Sequence, residues 1–179
     1  MAMARVTRRS RKDKTIESLR REALSLGAID AKAIPTQKIF TYEWVRWKCR
    51  YGCDGYGSSL LCPPHSPTPD DTRRMLGEYA RAILVHCDAE TDMRNLIATL
   101  ERSAFLGGHY KAFGFARGPC DLCPTCAFEN GCRHTDQARP AMEACGIDVF
   151  QTARQAGFPI EVLTSHGCAG NYFGLLLVE

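Results

Sequence analysis

Cys120, Cys123, Cys126 and Cys132 are spaced C-x2-C-x2-C-x5-C, and this is the most specific chemical signal in the chain. Three cysteines at successive x2 intervals let one tight loop wrap the corner of an iron-sulfur cube while backbone N–H groups turn toward the sulfides. Bacterial ferredoxins do this with C-x2-C-x2-C-x3-C-P. The last interval here is two residues longer and no proline follows Cys132. The first three cysteines are therefore firmer ligands than the fourth. Pro119 and Pro124 stiffen the loop and bring no N–H of their own.

A second segment holds Cys49, Cys53 and Cys62 as C-x3-C-x8-C, with Pro63 and Pro64 after the last. A Cys-Pro end is typical of the fourth ferredoxin ligand, which often serves the cluster bound mainly by the other segment, so cross-ligation between the segments stays open. Cys145, in EACGID, completes a set of eight candidate metal ligands: Cys49, Cys53, Cys62, Cys120, Cys123, Cys126, Cys132 and Cys145. Eight thiolates suit two 4Fe-4S clusters; one cluster with several unliganded cysteines fits nearly as well. Zinc is the rival metal, held in two all-thiolate tetrahedral sites, but zinc knuckles separate paired C-x2-C units by a longer connector. Simple dithiol redox chemistry ranks third, because too many cysteines crowd the same segments. Cys87 ends an apolar run and reads as a small core hydrophobe; Cys168 has no partner at ligand spacing beyond His166. His65 and His134 each follow a cysteine motif and could replace a thiolate, although a lone loop histidine is more often solvated.

Arg50, Arg117, Arg133 and Arg139 lie near these motifs and would offset the negative charge of a thiolate-bound cluster. Tyr51, Tyr56, Phe113 and Phe115 either shield such a centre or belong to the core, while Glu143 and Asp148 flank Cys145 as ligand-orienting or helix-capping groups. No G-x-G-x-x-G, Walker-type loop or G-x-S-x-G elbow is present, and the C-x3-C-x2-C run of radical adenosylmethionine enzymes is missing. No catalytic residue is assigned, and whether the chain is an enzyme stays open.

The elements that must carry these residues follow from periodicity. Asp13 to Leu26 has Ile16, Leu19, Ala23 and Leu26 at helical spacing; Asp70 to Tyr79 and Thr91 to Leu106 show the same pattern. Lys38 to Lys48 is rich in aromatic and β-branched residues and reads as a strand leading into Cys49. Arg81 to Cys87, Tyr110 to Phe115, Pro159 to Leu163 and Tyr172 to Val178 read as further strands, with short helices over Pro140 to Cys145 and Asp148 to Ala156. The expected fold is α+β: a single domain, residues 15–179, with a small mixed sheet, helices and two cysteine-rich cluster-binding loops, each delivered by a preceding strand.

With 179 residues, 45% of them hydrophobic, the chain can bury a core without cross-links, so its ten cysteines need a purpose other than disulfides. No apolar h-region or bilayer-length apolar run is present, and we expect a protein of the reducing cytoplasm with no integral membrane segment. The net charge of +3 is uneven: residues 1–21 carry eight Lys/Arg against two Asp/Glu, the remainder fifteen against eighteen. Residues 1–14 are expected to form a disordered basic tail. Nucleic acid is not an expected partner, and only this tail offers a route to it.

CRYGCDGYGSSLLCPPH, GHYKAFGFARGPCDLCPTCAFENGCRH and ARPAMEACGIDVFQTARQAG together resemble an uncharacterised prokaryotic family of cysteine-rich predicted metal-binding proteins, over most of residues 38–178. The resemblance implies metal or iron-sulfur binding by these segments. The expected function is 4Fe-4S binding, one or two clusters, with electron transfer to or from a redox partner protein. The alternatives are an iron-sulfur enzyme whose open iron binds substrate, and a zinc-stabilised interaction module.

Overall fold

The computed structural model describes residues 14–165 and 168–179. The expected basic tail therefore falls, apart from Lys14, outside the described residues, as does His166. Four strands form one sheet: β1 (Asp30–Pro35), β2 (Arg81–Cys87), β3 (Phe113–Phe115) and β4 (Tyr172–Leu177), in the order β1-β2-β4-β3. The α+β class holds, but every strand pair is antiparallel, so the sheet is not mixed.

Side chains alternate along β2 because successive Cβ atoms leave opposite faces of a strand. Ala82 and Leu84 join Leu175 and Leu177 on one face; Ile83, Val85 and Cys87 join Leu176 on the other. The second face is covered by α1 (Ile16–Ser25) and α4 (Met93–Leu106), through Leu19, Ala23, Ile97 and Leu100. α4 lies so close that a Cβ on Gly114 would come within 2.3 Å of Ile97, and one on Gly174 within 2.9 Å of Met93. The first face is covered by α3 (Pro69–Leu76), a 3₁₀ turn at Glu143–Cys145 and α5 (Val149–Gln155), through Leu76, Met142, Cys145, Val149 and Ala153. Thr68 and Asp71 cap α3 reciprocally, and Asp148 caps α5 through the Gln151 N–H, as its position before an apolar run suggests.

Two expected strands are absent. Residues 38–48 do not extend: α2 (Glu43–Gly52) begins there, and Cys49 sits on that helix. The aromatic residues raise strand propensity, but Val45 and Cys49 are four apart and turn inward, which is helical spacing. Residues 159–163 run as irregular chain, with Phe158 and Ile160 buried and Val162 and Leu163 exposed. β1 was not signalled at all. Its alanines are weak strand formers, and Pro35 is tolerated because β1 is an edge. Among the described residues no helix is long and apolar enough to cross a membrane.

Candidate metal centre

The second cysteine segment is an excursion closed at its base. After β3 the chain makes a bridge between Ala116 and Ala141, with Ala116 N–H donating to Pro140 O (2.8 Å) and Met142 N–H to Ala116 O (3.2 Å). Everything from Arg117 to Arg139 loops out between those points. Arg94, near the start of α4 and only 8% exposed, holds the excursion at both ends: its guanidinium donates to Pro119 O (2.8 Å), Arg139 O (3.0 Å) and, at the limit, Arg117 O (3.5 Å). Arg139 in turn pairs with the half-enclosed Glu101, which also accepts from Gly114 N–H of β3 (2.7 Å).

Inside this excursion Cys120, Cys123, Cys126 and Cys132 line one cavity of about 250 Å³. Its far wall belongs to the other segment, Ser58 to Leu61, and Leu60 N–H donates to Cys126 Sγ at 3.4 Å. His134 N–H donates likewise to Cys132 Sγ (3.4 Å). Burial pushes the Cys120 thiol up from its ordinary value, opposed by the Leu122 N–H and by Arg94. Amide donors of this kind favour the thiolate, the state that binds metal.

The first segment forms a separate cavity of about 220 Å³ lined by Cys49, Cys53 and Cys62, with Tyr56, Glu143 and the Gly118-Pro119 pair. Cys49 is delivered by α2, which packs on the 3₁₀ turn, and Cys62 by a turn fixed through Ser66 Oγ donating to Ala144 O (2.7 Å). Gly55 N–H donates to Cys53 Sγ at 3.4 Å. The Cys49 thiol is raised by burial and by the negative charges of Cys53, Glu143 and Cys62 around it. A bound cation would relieve that crowding. The two segments interlock where a Cβ on Gly55 would lie 2.7 Å from the Pro119 ring, so only glycine lets them approach. Cys62 thus lies with the cysteines of its own segment.

Among the described residues no three His, Cys, Asp or Glu side chains converge as a single ion requires. Among the described residues all ten cysteines are free. The donors instead ring cavities, and thiols with amide N–H groups aimed at their sulfurs are a donor set suited to iron-sulfur clusters.

A family model described as predicted metal-binding protein (DUF2284) matches residues 32–178. The chain belongs to this family. The DUF2284 match contains both cysteine segments, and its description predicts metal binding without naming the metal. No curated protein and no solved structure matches the chain.

In this DUF2284 member the other sequence candidates separate. Cys145 lines neither cavity; it is wholly buried in the core, and burial pushes its thiol up to about 12. Cys87 is buried too, its thiol pushed up to about 11, while Cys168 is exposed beside the Ser165 hydroxyl (3.2 Å). Of the four arginines only Arg133 lines a cysteine cavity; Arg50 lies near Tyr51, Arg117 stacks on Tyr172 and Arg139 is paired with Glu101. Phe115 is core, Phe113 packs edge-on against it, and the His65 ring rests near Phe128. Arg94 was missed, although a lone arginine inside the apolar run Met93, Leu96, Ile97 is a readable anomaly.

Proposed function

We propose that this chain is an iron-sulfur protein of the reducing cytoplasm that carries 4Fe-4S clusters and exchanges single electrons with a partner protein. The observation that supports it best is that four thiols of one loop line a single cavity, two of them with amide N–H groups directed at their sulfurs. A cube spreads its four thiolates over four corners, an arrangement that a loop ringing a cavity can supply. Cys120, Cys123, Cys126 and Cys132 would hold one cluster; Cys49, Cys53 and Cys62 offer three thiols to a second. A bound cluster supplies a one-electron couple whose potential depends on burial, charge and hydrogen bonds to sulfur. The chain's share is the amide donors of Leu60 and His134 at the sulfurs, the arginine Arg133 on the wall and the clamp by Arg94.

A partner surface lies beside the first cavity. Trp47 and Tyr51 on α2 are 64% and 72% exposed, Trp44 is 48% exposed, and their spacing puts them on one outer face with Lys48. Tryptophan is enriched at binding hot spots, and Lys48 among these rings suits an acidic electron carrier. Metal analysis tests the reading. Protein purified without oxygen should carry about eight irons and eight sulfides per chain for two cubes, about four of each for one. Zinc with negligible sulfide would refute it and leave a structural metal module.

A further inference from the structure

The two cysteine cavities differ in a way that bears on chemistry. One has four thiols on its wall and the other three. The eighth cysteine, Cys145, packs instead into the core beside Met142, Ile147 and Ala153. Glu143, two residues before it on the same 3₁₀ turn, does line the three-thiol cavity. At three residues per turn, positions two apart point to different sides, and of the two only Glu143 lines this cavity.

Glu143 is an exposed residue that borders the cavity, and among the described residues its carboxylate has no salt-bridge partner. A carboxylate that borders a cavity together with three thiols can serve a metal there as an oxygen donor. Glu143 also lines a neighbouring cavity of about 240 Å³, whose wall includes Arg117, Asn171, Tyr172, Phe150 and Ile160. One carboxylate thus stands between the thiols and a second space that has a guanidinium on its wall.

We propose that Glu143, and not Cys145, is the fourth donor at the Cys49, Cys53, Cys62 centre, and that it is an exchangeable ligand which a small carboxylate entering from the adjoining cavity displaces. This rests on the iron-sulfur reading given above. The exchange breaks one iron–oxygen bond to Glu143 and forms one to the incoming carboxylate; no electron is transferred and Arg117 meets the added negative charge. The centre is then a carboxylate-binding iron site.

The test uses the full chain, anaerobically reconstituted, with oxalate as the probe and ferricyanide as a one-electron oxidant. A cube whose corner iron lacks a thiolate loses one Fe²⁺ and one electron to ferricyanide and leaves a three-iron cluster with a distinct EPR signal. The wild type and Cys145→Ser should both give that signal, and oxalate should alter the EPR spectrum of their reduced form. Glu143→Cys should retain full iron, suppress the three-iron signal and abolish the oxalate response; the isosteric Glu143→Gln, chosen to preserve folding, should lose the corner iron more readily than the wild type. Loss of iron in Cys145→Ser with Glu143→Gln unaffected would overturn the proposal. So would a three-iron signal unchanged in Glu143→Cys. Absence of sulfide from the wild type is a separate result, which removes the underlying reading as well.

Discussion

Replacing Arg94 by methionine should loosen the four-thiol excursion while leaving the sheet intact. Methionine fills the apolar part of the buried site but donates nothing to the Pro119 and Arg139 carbonyls, which Arg94 meets at 2.8 and 3.0 Å. Hydrogen bonds from a charged donor contribute about 1.5–3 kcal/mol each, so two give roughly 3–6 kcal/mol, and the lower end applies because freed carbonyls on a surface excursion can turn to water. The ion pair with Asp121 adds little: Asp121 is 84% exposed and its charge is screened. A loss of about 3 kcal/mol lowers Tm by roughly 6–12 °C for a chain of this size. Thermal unfolding of the metal-free protein checks the first half of the reasoning, and iron content after anaerobic reconstitution checks the second, where the iron of the four-thiol cavity should be lost. Arg94→Lys separates charge from geometry. It keeps the cation, but one ammonium on a flexible stem cannot reproduce the planar fork, so it should resemble Arg94→Met. Unchanged Tm and iron in Arg94→Met, or full rescue by lysine, would refute the clamp.

Cys123→Ser should lose cluster iron, whereas Cys87→Ser should lose none; the reverse, read from iron and sulfide content, would undo the ligand assignment. Burial raises the Cys87 thiol from 9.0 to about 11. As pH climbs past the lower value the unfolded chain releases this proton first, so stability of the reduced, metal-free protein is unaffected below it and falls by about 1.4 kcal/mol per pH unit above it, roughly 2–3 kcal/mol in all. Urea unfolding at about pH 8 and about pH 10.5 should show a smaller drop in Cys87→Ala. Gly55→Ala forces a methyl to within 2.7 Å of Pro119 and should cost about 1–3 kcal/mol and reduce metal content at both cavities together. Trp47→Ala should leave Tm unchanged but weaken binding to an acidic ferredoxin at least about tenfold, measured by anaerobic titration calorimetry.

The four-thiol cavity was legible because C-x2-C-x2-C is local: three donors within seven residues need no tertiary fold to come together. β2 and α4 were equally plain, one a continuous apolar run and the other an amphipathic repeat. α2 was misread because Trp44, Trp47 and Tyr51 face outward, reversing the usual sense in which large apolar residues report an interior. The wall that residues 58–61 contribute to the other segment's cavity was invisible for another reason. Nothing in the chain between them encodes the approach of Gly55 to Pro119, which is a tertiary contact in a fold where α2 packs on the 3₁₀ turn. Glu143 was noticed as a neighbour of Cys145, but which of the two looks into the cavity depends on the pitch of a three-residue turn.

β4 lies between β2 and β3 in the sheet, although it is the last of the four strands to leave the ribosome. Without it β2 has one neighbour and β3 has none, so the surface that supports α4 and the base of the Arg117–Arg139 excursion is incomplete until translation has passed residue 177. Both cysteine segments therefore emerge as unstructured thiol-rich peptide, exposed to adventitious metals and to oxidation, before any cavity exists to select among them. Correct loading then waits for the arrival of β4. A C-terminal truncation that removes β4 should yield a chain that binds metal indiscriminately through loose thiols.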